Sequence, residues 1–253
     1  MRRILVLQAV VGRIDLPPAQ AHHLRDVLRM QAEAEIEVFD RAGVTGHARI
    51  VAVGVGGVTI QIERVNLPPA GQPKIAIAAA VPKGTRADWM IEKLSELGVD
   101  RFIPLATERG VVLPRGEAKK QRWARLAEES ARQSERSGIM RIEILTELKT
   151  ILEEVKSGEM TAWYLSPADD AVPILELAAA IPPVLTLLVG PEGGWSPAEI
   201  AAFDAAGVAP VRIAQTILRV ETAAIAAAAI VQSVLTLRRS AATIVSDTKR
   251  KTI

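Results

Sequence analysis

Cysteine is absent from all 253 residues. That excludes a disulfide framework, a thiolate metal site and a cysteine nucleophile, and it fits a reducing compartment. Only three histidines occur, two of them adjacent (His22, His23), so no metal centre is expected. Aromatic residues make up 3% of the chain, too few to announce stacking platforms for single-stranded nucleic acid. Long unbroken apolar runs are missing as well. The most apolar stretch, residues 171–189, is interrupted by Pro173, Glu176, Pro182 and Pro183, which argues against a membrane span. Met1-Arg2-Arg3-Ile4-Leu5-Val6 opens the chain without the apolar region and cleavage site of a signal peptide. A soluble, cytoplasmic protein with no membrane and no metal partner is expected.

What is present describes a globular protein, with 49% hydrophobic and 24% charged residues. The length suits one large domain or two smaller ones. The net charge of +2 permits a nucleic-acid partner without requiring one. Up to about residue 69 the patterning is mostly β. Short strands are expected at residues 4–8, 35–39, 47–53 and 58–65, with glycine turns between them and one helix at residues 19–28. This reads as a small β-barrel. Leu67-Pro68-Pro69-Ala70-Gly71-Gln72-Pro73 then reads as a linker. From Lys74 strands alternate with helices, the mark of an α/β domain with a mainly parallel sheet. Residues 241–253 form a polar tail.

One stretch carries the most information. Val184 to Val189 reads as a buried strand and stops at Gly190-Pro191-Glu192-Gly193-Gly194. A helix follows with clear punctuation: Ser196 as N-cap, Pro197 at its first position, Glu199 where a capping box needs it. Open α/β sheets bind ligands at such a strand-to-helix turn. The turn is neither a phosphate-binding loop ending in Gly-Lys-Ser/Thr nor a Gly-x-Gly-x-x-Gly dinucleotide fingerprint. A second stretch, Ile213-Ala214-Gln215-Thr216-Ile217-Leu218-Arg219-Val220-Glu221-Thr222-Ala223, ends a strand and starts a helix. Arg219 and Glu221 are either a local ion pair at the helix start or two groups facing the same crevice.

Together these residues resemble the bacterial 16S ribosomal RNA uridine N3-methyltransferases of the SPOUT superfamily. His23-Leu24-x-x-Val27-Leu28-Arg29-Met30, Lys93-x-x-Glu96-Leu97-Gly98-Val99, Glu108-Arg109 and Gln133-Ser134-x-Arg136 match further family positions in the same order. The resemblance implies a PUA-like β-barrel RNA-binding domain over residues 1–70. It also implies an α/β SPOUT methyltransferase domain over residues 74–240, with a C-terminal trefoil knot. S-adenosylmethionine would be held by Leu165, Val189, Gly190, Pro191, Glu192, Gly193, Gly194, Ile213, Ile217 and Leu218. Arg219 and Glu221 would be catalytic. His23, Arg25, Arg29, Arg109 and Arg136 would contact 16S rRNA in the small ribosomal subunit, and the protein would be a homodimer. The family's usual Leu-Gly-x-Arg is replaced by Ile213-Ala214-Gln215-Thr216, which removes a glycine and an arginine near the expected cofactor loop. Two alternatives stay open: a related RNA methyltransferase acting on another base or a ribose hydroxyl, and a non-catalytic ribosome assembly factor.

The basic residues Arg115, Lys119, Lys120, Arg122, Arg125, Arg132 and Arg141 gather on and after the long helix of residues 117–137, beside Glu128 and Glu129. They could grip RNA or form a solvated face of mixed charge.

Overall fold

The computed structural model describes residues 1–250 except Arg115 and Ala179, with side chains as far as Ser240. Arg115 and the last residues of the tail, 251–253, lie outside the described residues. The chain divides into two compact units, the first made of Met1–Ala70 with Glu128–Ile139, the second of Gly71–Ala127 with Met140–Ile253.

In the first unit, β1 (Arg2–Leu5), β2 (Gly12–Asp15), α1 (Pro18–His22), β3 (Glu35–Phe39), β4 (Thr45–Gly54) and β5 (Gly57–Asn66) follow in order. The sheet runs β1-β3-β4-β5-β2, with β1 parallel to β3 and the other pairs antiparallel. Alternation decides the faces. Ile36 and Val38, Ala48 and Ile50, and Ile60 and Ile62 all point into one core with Leu24. The helix expected at residues 19–28 is two pieces: α1, then a π-helical turn at His23–Val27. Arg29 follows with a left-handed φ of 51°. Helix C-termini favour glycine in that conformation, so an arginine there is strained.

Asp40 holds this unit's tightest loop. Its carboxylate is 4% exposed and accepts from the backbone N–H groups of Ala9 (3.1 Å), Ala42 (2.9 Å) and Val44 (3.0 Å). Glu128 pairs with Arg41 at 2.9 Å, and the carbonyl of Arg136 accepts from Arg3 at 3.2 Å, which ties residues 128–139 to this unit.

The second unit contains β6 (Lys74–Ala79), α2 (Arg86–Glu96), β7 (Arg101–Ala106) and α3 (Glu117–Gln133), whose last residues belong to the first unit. It continues with β8 (Arg141–Ile142), β9 (Thr146–Glu147), α4 (Leu148–Lys156), β10 (Thr161–Leu165), β11 (Val172–Pro173) and α5 (Ile174–Ala178). It ends with β12 (Val184–Val189), α6 (Pro197–Ala206), β13 (Ala209–Arg212) and α7 (Val220–Arg250). Its sheet is parallel throughout, in the order β11-β13-β10-β12-β6-β7-β8, with β9 also paired to β7. The inner strands are mostly apolar, with Thr186 buried in β12, as expected of parallel strands covered on both faces. From β12 the chain passes beyond β10 to reach β13. This reversal of strand order opens a crevice at the carboxyl ends of β10, β12 and β13.

Two helix boundaries differ from the sequence reading. α3 stops at Gln133, and the chain turns through Glu135 (φ 54°) and Gly138 (φ 85°). α7 runs on to Arg250, so residues 241–250 of the expected tail continue the last helix. Residues Val220–Ser240 are long and apolar enough to cross a membrane by length and composition. Here Val220, Ala224, Ala227, Ala228 and Val231 are buried, and α7 packs on α2, β6 and β12.

The Asp40 loop yields a first expectation. Asp40→Ala removes the acceptor of three backbone donors, one of them buried, and should destabilise the protein by about 2–3 kcal/mol in urea unfolding. Asp40→Asn, which keeps one acceptor, should lose less.

Candidate active site

The site is built on one close contact. Trp195, 8% exposed, lies across Gly190 so tightly that a Cβ added there would sit 2.9 Å from its indole ring. Only glycine fits at that position. Trp195 is fixed from three directions. Its Nε1–H donates to the Leu165 carbonyl at 3.0 Å, joining the end of β10 to the turn after β12. Its ring meets Phe203 edge-on at 4.9 Å, and Phe203 stacks on Tyr164 at 4.3 Å. Arg109 Nη1 donates to the Gly193 carbonyl at 2.8 Å and to the Trp195 carbonyl at 3.3 Å.

The helix after the turn begins as its sequence dictates. Ser196 Oγ accepts from Glu199 N–H at 3.1 Å, and Glu199 Oε2 accepts from Ser196 N–H at 2.8 Å. Pro197 is the first helical residue and Gly207 closes the helix in a left-handed conformation. Glu199 does more than cap. Its other oxygen accepts from Glu108 N–H at 2.9 Å, so one buried carboxylate holds both the α6 start and the loop carrying Arg109.

Above this frame lies a cavity of about 300 Å³. Leu165, Val189, Gly190, Pro191, Glu192, Gly193, Gly194, Ile213, Ile217 and Leu218 all line it. The structure thus brings together, from the ends of β10, β12 and β13, every residue expected at the cofactor. Ser166, Pro167, Trp195, Val211, Ala214, Thr216, Val220 and Ala223 complete the lining; only the tertiary fold assembles them there. Glu192 is the one ionisable side chain among the described lining residues. The apolar walls, backbone polar groups and single carboxylate suit a ligand with a flat ring and a positive centre. Ala214, where the resemblance implies glycine, does not adopt a positive φ.

Beside the cavity, and sharing Ile217 and Leu218 with it, is an open groove of about 800 Å³. Thr85, Arg86, Trp89, Arg219, Glu221 and Thr222 also line it. Glu221 is 5% exposed. Its Oε1 lies 3.5 Å from Arg86 Nη1, an ion pair too long to be a hydrogen bond. Its Oε2 is buried and has no hydrogen-bond partner among the described residues. Arg219 is exposed, and no side-chain hydrogen bond or ion pair engages it among the described residues. The local Arg219–Glu221 pair that the spacing allowed does not form.

The residues expected to meet RNA fall into different settings. His23, Arg25, Arg29 and Arg136 belong to the first unit and Arg109 to the second. His23 and Arg29 are exposed. Arg25 is engaged by Asp26 through two hydrogen bonds (2.8 and 2.7 Å) and by the Gly54 carbonyl (2.9 Å). That contact holds the Asp26 carboxyl down at about 2. Arg109 serves the glycine turn, as described. Several other basic residues are paired: Arg122 with Asp88 at 2.6 Å, Arg132 with Glu128 at 3.7 Å, Arg141 with Glu143 at 2.6 Å. Lys119 lies over Trp123 at 5.0 Å. These contacts make much of that stretch a mixed-charge face. Among the described residues no group of three or more His, Asp or Glu side chains could hold a metal ion.

The Gly190 contact predicts its own test. Gly190→Ala should destabilise the protein by about 1–3 kcal/mol through overpacking. With Trp195→Ala already present, the same change should cost less than about 0.5 kcal/mol, the signature of a direct pair in a double-mutant cycle.

The comparisons with known proteins agree with this geometry. An RNA methyltransferase domain model matches residues 70–232, and an RNA methyltransferase PUA domain model matches residues 16–63. A ribosomal RNA small subunit methyltransferase E from Synechocystis sp. is 31% identical over 90% of this chain and 75% of the relative. The protein of that name from Mycobacterium bovis is 31% identical over 81% of this chain and 80% of its own length. The crystal structure of a ribosomal RNA small subunit methyltransferase E from Neisseria gonorrhoeae, bound to S-adenosyl methionine, superposes with a TM-score of 0.80. It has 27% identity and covers 92% of this chain and 97% of that one. With its methyltransferase domain, its PUA domain and relatives aligned along most of its length, the chain belongs to the ribosomal RNA small subunit methyltransferase E family.

Proposed function

We propose that the protein transfers a methyl group from S-adenosylmethionine to N3 of a uridine in 16S rRNA of the small ribosomal subunit. The observation that carries this reading is the pairing of two adjoining spaces. One is an apolar cavity with a single carboxylate; the other is a groove lined by Glu221, whose buried Oε2 lacks a donor among the described residues. Uracil N3 carries a proton and attacks poorly until that proton leaves, so an acceptor at the groove suits this substrate.

The cavity's residues fit the cofactor by chemistry. Leu165, Val189, Ile213, Ile217 and Leu218 offer apolar walls, and the 190–194 turn offers backbone polar groups. Glu192 places negative charge where a sulfonium would be favoured. Bound S-adenosylmethionine supplies an electrophilic methyl carbon, whose bond to sulfur breaks as the new bond to nitrogen forms. Glu221 Oε2 takes the N3 proton. Arg219, exposed and uncommitted, stabilises the charge that grows on the uracil oxygens. Leu218, common to both spaces, keeps the reacting atoms in register. No residue in the groove needs a metal for these roles.

The rest of the reading follows the family. The first unit's five-stranded sheet is a PUA-like barrel, and residues 1–70 bind RNA through His23 and Arg29, with Arg25, Arg109 and Arg136 assisting. Residues 74–240 are the transferase, and the passage from β12 beyond β10 to β13 supports a trefoil knot. A stripe of small and apolar side chains on the outer side of α7 (Ala226, Ala229, Ile230, Ser233, Leu237) supports a homodimer. The reaction belongs to the cytoplasm, where small subunits mature.

Labelled S-adenosylmethionine and small subunits lacking the modification give the direct test: nucleoside digestion should yield 3-methyluridine. A different methylated nucleoside would move the reading to another base or to ribose. Arg219→Ala should lower kcat by roughly 100-fold or more, with cofactor affinity unchanged in calorimetry. Turnover near wild type in that variant would remove Arg219 from the mechanism. Arg29→Gly relieves the left-handed strain and should raise stability by about 0.5–1 kcal/mol. The same variant should bind the small subunit more weakly, which a salt-dependent binding titration would read out.

A further inference from the structure

We infer that the first turn of α2 forms the subsite for the acceptor base, with Trp89 as its stacking face and Arg86 as the positioning residue for Glu221. This rests on the methyl-transfer reading above and adds to it two residues that no motif singled out.

Trp89 is an anomaly among the tryptophans. Trp123, Trp163 and Trp195 are 1%, 6% and 8% exposed; Trp89 is 48% exposed and lines the groove. An indole left half in water offers a flat face worth a large apolar area to whatever covers it. Three further observations say what that is. Glu221 lines the same groove, and its buried Oε2 is an acceptor without a donor among the described residues. A buried polar atom of that kind is costly unless a ligand completes it, and its complement is an N–H group. Arg219 brings an unpaired cation to the same lining, the complement of a carbonyl oxygen that gains negative charge. Finally, the groove shares Ile217 and Leu218 with the cofactor cavity, so its occupant lies beside the reacting methyl. A flat ring bearing an N–H between two carbonyls meets all these demands at once. A pyrimidine base held outside its helix has that face and that edge.

Arg86 has a different part. It stands at the first position of α2, and its guanidinium approaches the Glu221 oxygen that the substrate does not use. At 3.5 Å it fixes the carboxylate's direction without satisfying Oε2.

The test uses the intact protein and two readouts. In a ¹H–¹⁵N spectrum the four tryptophans give four indole signals, and the one missing in Trp89→Phe is that of Trp89. Uridine 5′-monophosphate, added to protein saturated with S-adenosylhomocysteine, should shift that signal. No shift at millimolar nucleotide, or shifts confined to other tryptophans, would overturn the subsite. In steady-state assays with small subunits, Trp89→Ala should lower kcat/KM for RNA roughly 10- to 100-fold, the size of one lost base–aromatic stack. Trp89→Phe should retain most of it. A Trp89→Ala enzyme within twofold of wild type would also overturn the proposal. So would a change of oligomeric state in that variant, which would assign the indole to a subunit contact. Arg86→Ala should lower kcat about tenfold with KM for S-adenosylmethionine unchanged, and Arg86→Lys should recover part of the loss. Equal losses in both variants would remove the positioning role. If wild type transfers no methyl group while the nucleotide still shifts the Trp89 signal, the reaction reading fails and the base subsite stands.

Discussion

Trp195 pressed on Gly190 is the contact that the second unit's functional end depends on. The indole covers a backbone position where a Cβ would collide with it, and its N–H reaches across to the carboxyl end of β10. Two loops from adjacent parallel strands are thereby locked at one height. Tyr164 and Phe203 support the ring from below, placing three of the chain's eight aromatic residues under one turn. Glu199 and Arg109 hold the turn from its other side, through backbone N–H and carbonyl groups respectively. A scarce residue type is concentrated where rigidity matters most, because large rings fix position at little cost in rotamer freedom.

On that frame the charges are sorted between two neighbouring spaces. Among the described residues, the cavity is lined by one carboxylate and no cation, and the groove by an exposed cation, a buried anion and a second cation held near it. Water would blunt such an arrangement in the open. Burial of Glu221 strengthens it, because an unpaired carboxylate oxygen in a low-dielectric setting attracts a donor strongly.

The first unit shows the opposite use of charge. Asp40 is buried but fully partnered, and Arg25, Arg41 and Arg49 are engaged with carboxylates. Such residues stabilise the sheet and its loops. Arg29 differs: it is exposed, and its backbone holds a left-handed conformation that costs stability.

Much of this protein was legible in its sequence. Ser196, Pro197 and Glu199 set the start of α6 because capping is a local matter of backbone N–H groups and near neighbours. The apolar runs of β6, β10 and β12 announced a parallel sheet, and the glycine turn lies at the cavity at its carboxyl end. Tertiary structure decided what local rules cannot reach. It placed Arg109 on the carbonyls of a turn distant in sequence, and it gave Glu221 to Arg86 rather than to Arg219, two residues away. Arg219 and Glu221 both line the groove, but where the loop becomes a helix one stays exposed and the other is buried beside Arg86. Trp89 carried no signal at all, because exposure of a single indole is a property of how helices pack and not of the order of residues within one.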